Sequence, residues 1–154
     1  MAHVRVAIVS EPLDITSEME RVTAGRGDIG AVVTFTGLCR DEDGRLEALE
    51  LEHYPGMAEA EVTRIAEQAA GRWDISDVTI LHRHGKVKPG EVIVLVVTAS
   101  KHRHAAFESA AFIMDFLKTH APFWKKEHTA AGAVNWVSAK RSDDDAEERW
   151  KTAD

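Results

Sequence analysis

The chain has 154 residues, 44% of them hydrophobic, which suffices for one ordinary core and is too few for two. Its formal charge of -7 and isoelectric point near 5.6 argue against a general nucleic-acid binder. The single cysteine excludes an internal disulfide and a multi-thiolate zinc site, and no apolar run reaches membrane-spanning length, so we expect a single-domain cytoplasmic protein without a membrane partner.

The first half of the chain predicts three strands and a helix. Val4–Val9 is a strand, and the apolar spacing of residues 14–23 is typical of a short helix. Ile29–Arg40 and Leu46–Tyr54 have strand composition and flank a turn with an Asp-Gly step. That step favours a hairpin, so we expect these two strands to pair antiparallel.

The middle of the chain predicts two long helices around two strands. Met57–Trp73 and residues 102–120 carry apolar side chains at three- and four-residue steps. Val78–Val87 and Glu91–Ser100 are strands joined by a Lys-Pro-Gly turn. The second of these strands is apolar on both faces, which predicts a central strand covered on both sides.

The end of the chain predicts one more strand, Ala133–Ala139. Residues 142–154 are highly charged apart from Trp150 and form either a surface helix or a frayed tail. We therefore divide the chain into a domain at 1–141 and this C-terminal segment. The order of elements predicts an α+β fold, with a mostly antiparallel sheet backed by two main helices.

The start of the second long helix carries the wrong charge for its position. Ser100 is a natural N-cap, but the first turn holds Lys101, His102 and Arg103 where acidic residues are usual. An anion held by the free amides and these side chains would compensate, and a phosphate is the leading candidate. The alternative is that the side chains extend into water.

The end of the same helix gathers lysines and aromatic residues. Pro122 ends the helix between Lys118 and Lys125, so both ammonium groups can face one pocket. Neighbouring cations and desolvation by Phe123 and Trp124 favour the neutral amine, which can act as nucleophile or general base. The alternative is ordinary surface charge. The residues alone thus predict a cation-rich pocket for a phosphorylated substrate.

Other candidate groups give weaker signals. Arg40 ends a strand, from which it can grip an anion or remain exposed. Cys39 lies in an apolar segment with no base beside it, which indicates a buried, inert thiol. His82 and His84 share a strand face but lack a third ligand, so no metal site is predicted.

Several motifs, in order along nearly the whole chain, resemble the catalytic (large) subunit of molybdopterin synthase. They are Val33–Gly37 with Arg40, Glu52–Met57, His82–Arg83 with Gly85, His102–Arg103, Phe112–Asp115, Leu117–Thr119 and Ala121–Lys125. The resemblance implies an α/β hammerhead fold and a homodimer that binds two copies of a small ubiquitin-like sulfur-carrier subunit, giving a heterotetramer. It implies sulfur transfer from the carrier's thiocarboxylated C-terminus to cyclic pyranopterin monophosphate, which forms the dithiolene of molybdopterin.

The resemblance also implies the site residues. Lys118 and Lys125 match the catalytic lysines, and no resident cofactor or metal is expected. His102 and Arg103 are expected to reach the pocket from the other protomer. The residues that match the family's substrate site are Leu38, Cys39, Arg40, His102, Arg103, Lys118, Lys125, Lys126 and Glu127.

Two other functions remain open at this point. One is a Schiff-base lysine enzyme that acts on a small phosphorylated carbonyl compound, which borohydride would trap on Lys118 without any carrier protein. The other is a non-catalytic anion-binding module that docks a ubiquitin-like partner, which turnover with purified carrier would exclude.

Overall fold

The computed structural model describes residues 2–120, 123–137 and 141–151, the last range without the side chains of 141 and 142. The helices in these ranges are α1 (Ile15–Thr23), α2 (Met57–Arg72), α3 (Arg103–His120) and α4 (Arg141–Lys151). The strands are β1 (His3–Val9), β2 (Ala31–Leu38), β3 (Leu46–His53), β4 (Asp77–Arg83), β5 (Gly85–Val87), β6 (Val92–Ser100), β7 (Phe123–Thr129) and β8 (Val134–Trp136).

The strands form two four-stranded sheets. The first sheet has the order β1-β4-β6-β2, and the second has the order β5-β3-β7-β8. Every pairing is antiparallel except that of β1 with β4. The predicted α+β class and mostly antiparallel pairing are confirmed, but the strands divide between two sheets where we expected one.

The predicted hairpin between the second and third strands is wrong. β2 pairs with β6 in the first sheet, and β3 pairs with β5 and β7 in the second. The turn between β2 and β3, in which Glu42 and Asp43 have φ of 52° and 59°, joins the two sheets. β6 is apolar on both faces and lies at the centre of the first sheet, where it needs a partner at each edge; β2 supplies one of them.

Two more strand predictions change. The predicted strand 78–87 is broken after Arg83, and Gly85 with φ of 86° starts β5 in the other sheet. The predicted strand at 133–139 is β8, three residues long in the structure, with residues 138–139 outside the described part. The sequence did not predict β7, which is a central strand of the second sheet.

The main core lies between the first sheet and the helices α2 and α3, where Ile65, Ile80, Val96 and Ile113 are buried. A smaller core under α1 covers the opposite face, including Leu95 and Val97 of β6. β6 is therefore the covered central strand that its sequence predicts. No described helix is long and apolar enough to cross a membrane.

The charged C-terminal segment contains a helix, α4, which packs along α3. Trp150 is buried in the main core against Trp73 and Phe112. Its indole Nε1 donates to Asp115 at 2.5 Å, and Arg149 donates to the same carboxylate at 3.0 Å. Of the two alternatives for this segment, the structure has the helix over Arg141–Lys151.

Candidate functional site

A narrow cavity of about 130 Å³ opens where the two sheets meet the end of α3. Five elements contribute its walls: the end of β2, the end of β4, the start of β6, the last turns of α3 and the start of β7. Most of the lining is apolar, including Phe35, Leu38, Val94 and Met114. Such a space accepts a slender, uncharged segment more readily than a bulky polar one.

A wider cleft of about 720 Å³ adjoins the narrow cavity. Leu38, Ile93, Lys118, Phe123 and Lys125 line both spaces. The cleft adds polar groups that the narrow cavity lacks, which are Arg40, Glu42, Glu127 and Asp143. Lys118 and Lys125 thus stand at the junction of an apolar cavity and a charged cleft, as the convergence predicted from the sequence requires.

Helical periodicity places Lys118 at this junction. Met114, Leu117 and Lys118 lie three and four residues apart, so they share the face of α3 that lines the narrow cavity. α3 ends at His120, and the predicted helix stop, Ala121–Pro122, lies outside the described residues. Lys118 therefore stands in the last turn of its helix, where a cation is favourable.

Strand alternation places Lys125 but sends Lys126 to the other face. Side chains of a strand alternate, so Phe123, Lys125 and Glu127 share one face of β7. Lys126 donates to Glu52 at 2.7 Å and lies 4.6 Å from the centre of the Trp136 ring, and this hydrogen bond raises its pKa. Lys126 lines neither space within one protomer, whereas Glu127 lines the cleft.

The segment after β2 supplies the other predicted residues of this protomer. Leu38 lines both spaces, and Cys39 and Arg40 line the cleft. The Arg40 side chain is 74% exposed and forms a 3.4 Å ion pair with Glu42, so it is free enough to turn toward an anion. Cys39 is 4% exposed, and burial raises the pKa of its thiol, which fits the inert role expected of it.

His102 and Arg103 are not brought to the lysines within one protomer. Both are exposed at the N-terminal end of α3, and the helix rise puts Arg103 about 22 Å from Lys118 along the axis. Ser100 does not cap this helix: it ends β6, and its buried hydroxyl donates to the His102 carbonyl. The helix begins at Arg103, two residues later than an N-cap at Ser100 would require.

The sequence analysis did not assign one titratable residue of the narrow cavity to the site. His82, at the end of β4, lines it together with both lysines. Its side chain is buried, and its ring stacks on Phe123 with centroids 3.9 Å apart and planes 13° apart. The sequence placed His82 near the end of an apolar strand and within the His82–Arg83 motif of the family resemblance, but it was weighed only as a metal ligand and was not included among the predicted site residues.

The fold and the site together define a class: a two-sheet α+β protein with a lysine pair between an apolar cavity and a cleft lined by charged side chains of both signs. The chain belongs to the MoaE family, whose model matches residues 8–120. The resemblance drawn from the sequence motifs is thus confirmed.

Three similar proteins support this assignment. A curated relative from Brucella melitensis, "Molybdopterin synthase catalytic subunit", is 60% identical over 147 residues, which are 95% of this chain and 90% of the relative. A solved "Molybdopterin biosynthesis MoaE protein" from Burkholderia ambifaria has 44% identity, a TM-score of 0.83 and 99% coverage of both chains. The crystal structure of molybdopterin synthase from Staphylococcus aureus has 31% identity and a TM-score of 0.76, covering 85% of this chain and 95% of that one.

These likenesses establish the activity class. The chain is a catalytic subunit of the molybdopterin synthase type, and its reaction is a sulfur transfer in molybdenum cofactor biosynthesis. This outcome favours the family reading over the Schiff-base and non-catalytic alternatives. The roles of the individual residues are a separate question.

Proposed function

We propose that this chain transfers sulfur from the thiocarboxylated C-terminus of a ubiquitin-like carrier subunit to cyclic pyranopterin monophosphate, with Lys118 and Lys125 as the catalytic residues. The supporting observation is that both lysines stand where the narrow apolar cavity meets the charged cleft. An extended, small-residue tail suits the cavity, and a phosphorylated pterin suits the cleft. The acyl carbon and the pterin then meet beside the two ammonium groups.

The proposed reaction needs a cation beside the acyl carbon of the carrier. Each transfer forms a carbon–sulfur bond on the pterin while a carbon–oxygen bond at the same carbon breaks and the oxygen leaves with a proton or with the phosphate. The bond between sulfur and the carrier's carbonyl carbon then breaks as a water oxygen replaces it, which leaves the carrier with an ordinary C-terminal carboxylate. Negative charge develops on the carbonyl oxygen when water adds. In our proposal Lys118 contacts this oxygen, and Lys125 donates a proton or neutralises the phosphate.

The cleft residues complete the proposed substrate site. Arg40 is mobile enough to pair with the phosphate, while Leu38, Cys39 and Glu127 bound the pterin's space. Lys126 is the least supported member of the predicted set, because it is engaged by Glu52 on the other face of β7. The cytoplasm is the proposed location, in keeping with a single, buried, unpaired cysteine.

His102 and Arg103 enter this proposal through the second protomer. β2 is an edge strand of the first sheet, and Ala31 at its start pairs with Ser100 beside these cations. If two copies of β2 pair antiparallel across a twofold axis, the start of one strand lies beside the end of the other. The partner's cations would then stand next to Leu38 and Arg40, at the mouth of the cleft.

The decisive experiment mixes the purified protein with thiocarboxylated carrier and cyclic pyranopterin monophosphate and measures molybdopterin. We expect formation of the dithiolene and its loss in Lys118→Ala with carrier binding intact. If Lys118→Ala kept near-normal dithiolene formation, the assigned role of Lys118 would be wrong. If reduction by borohydride labelled Lys118 in the presence of the pterin but without carrier, the Schiff-base alternative would replace it.

A further inference from the structure

His82 is the buried titratable group of the narrow cavity that the proposed mechanism does not use. Its side chain is 8% exposed, and its ring is held flat against Phe123. The groups that face it are Lys118 from α3, Lys125 from β7 and His53 from β3. It is thus a fixed imidazole in a wall shared with both lysines.

The hydrogen bonds of His82 determine its tautomer. Its Nδ1 lies 2.8 Å from the carbonyl oxygen of Arg83, which can only accept, so Nδ1 carries the proton and donates. The Arg83 side chain is buried as well; it donates to the Ser10 carbonyl at 3.1 Å and pairs with Glu91 at 3.5 Å. Nε2 therefore keeps its lone pair, and it has no hydrogen-bond partner among the described residues.

His82 is also neutral at physiological pH. Burial first, and then the positive charges of Lys125 and Lys118, lower the pKa of the imidazole to about 4, against a smaller opposing effect of the Arg83 carbonyl. The narrow cavity therefore contains a neutral acceptor beside two cationic donors. A neutral acceptor lowers the cost of removing water from an ammonium group beside it.

We propose that His82 is a positioning residue for the sulfur transfer, and that its Nε2 accepts a hydrogen bond from the Lys125 ammonium when the carrier tail fills the cavity. Phe123 and Lys125 share one face of β7, and Phe123 stacks on the imidazole, so the lysine leaves the strand next to His82. The hydrogen bond holds the proton donor in place after water has been displaced. This inference rests on the proposed function and adds to it a residue that acts through Lys125.

Two substitutions separate hydrogen bonding from packing. His82→Phe keeps a flat ring against Phe123 but removes the acceptor, whereas His82→Gln removes the ring but carries an amide oxygen to about the position of Nε2. We expect kcat to fall about tenfold or more in His82→Phe, with the KM for the pterin unchanged, and to stay within about threefold in His82→Gln. If His82→Phe retained more activity than His82→Gln, the residue would act through packing and the proposal would fail.

A double-mutant cycle tests the route through Lys125. In a Lys125→Ala background, His82→Phe should cause no further loss of kcat, because the donor has already been removed. Independent losses that multiply would overturn the inference. The wild-type protein, assayed in parallel, reports on the proposed function itself, so failure of that function is seen separately.

A measurement on the unmodified protein covers the case in which a variant does not fold. Nitrogen-15 NMR of labelled wild-type protein should show His82 protonated at Nδ1 and unprotonated at Nε2 from pH 6 to 8. Binding of the thiocarboxylated carrier should perturb the Nε2 resonance. A proton on Nε2, or a resonance that the carrier leaves unchanged, would contradict the proposed hydrogen bond.

Discussion

The two ends of α3 carry cations in opposite circumstances. At its C-terminal end, Lys118 lies in the wall of a cavity that four strands complete. At its N-terminal end, Lys101, His102, Arg103 and His104 are all exposed, and the latter three line none of the described cavities. One helix therefore presents the proposed reaction site at one end and, about 22 Å away, a set of exposed basic groups at the other.

The difference shows what one protomer can and cannot supply. Positive charge at the C-terminal end of a helix is favourable, so Lys118 is stable where it stands. Positive charge at the N-terminal end is unfavourable, and an arriving anion can offset it. One chain alone forms the surroundings of the C-terminal end of α3. In our proposal the cations at the N-terminal end act only on a ligand or on the site of a second protomer.

The largest effect is expected from removing Lys118 at the C-terminal end of α3. Lys118→Ala should reduce kcat for molybdopterin formation by about 10³-fold, because it removes the cation proposed to stabilise the acyl oxyanion. Steady-state assays with saturating carrier would measure it. The matched control is Lys86→Ala. Lys86 is an exposed lysine of β5, paired with Glu50 of β3, and its replacement should change kcat by less than about twofold. Equal losses in both variants would refute a specific role for Lys118.

The buried histidine at the same end should give the next largest effect, on stability. Between pH 6.5 and about 4 the unfolded chain binds a proton at His82 that the folded protein does not, since burial lowers the pKa of this group to about 4. Stability should therefore fall as the pH falls through this window, by about 3 kcal/mol from this group alone. Urea unfolding from pH 7 to 4 would measure the free energy.

His82→Gln should remove this part of the acid destabilisation, because the variant has no imidazole at this position to take up the proton. A His82→Gln protein that is as acid-sensitive as wild type would show that His82 binds its proton equally well in both states.

Mixed dimers test the N-terminal side of the comparison. Arg103→Ala should weaken turnover by about 10- to 100-fold, the size of a lost arginine–phosphate contact. Co-expression of Arg103→Ala with Lys118→Ala should restore activity to about a quarter of wild type, because random pairing gives one intact site in half of the dimers. No recovery would mean that Arg103 serves the pocket of its own chain, or none.

The smallest effect is expected from Lys126→Ala, which is compared with Lys125→Ala on the opposite face of the same strand. Lys126→Ala should change the KM for the pterin by less than about threefold, since this lysine faces Glu52, whereas Lys125→Ala on the opposite face should reduce kcat by about 10²-fold. Initial rates over a range of pterin concentrations would separate kcat from KM. A Lys126→Ala loss as large as that of Lys125→Ala would restore Lys126 to the substrate site.

The sequence predicted local structure well where one periodicity dominated. α2 and α3 begin and end within about a turn of their predicted bounds, because their apolar spacing matches a helix packed against a sheet. β6 was recognised as central because its residues are apolar on both faces. In these elements burial alone determines both the type of element and its place.

Pairing could not be predicted in the same way. The Asp-Gly step before β3 is compatible with a hairpin and with the observed crossing between sheets, and only the need of β6 for a second neighbour decides between them. β7 was missed because Lys125, Lys126, Glu127 and His128 give it little strand character, although it is central in the second sheet. Pairing with β3 and β8 stabilises this strand although its composition has low strand propensity.

In the candidate site, too, the features set by local sequence were predicted and those set by contacts between distant segments were not. The sequence singled out Lys118 and Lys125, but the separation of Lys125 from Lys126 depends on a strand that was not predicted. His82 was noted in a strand motif, but its place in the cavity could not be predicted, because this depends on its contact with Phe123, which lies 41 residues further along the chain. Contacts between distant segments leave no local signal.

α4 holds in place the last turns of α3, which carry Lys118. Arg149 and Trp150 bind Asp115, one turn before Lys118, and Glu147 accepts a hydrogen bond from His120, two residues after it. Proteolytic trimming that removes residues after 146 would strip these three contacts and open the core around Phe112. An enzyme clipped there would lose turnover although every proposed active-site residue is still present, so an intact C-terminus is a quality criterion for any preparation of this protein.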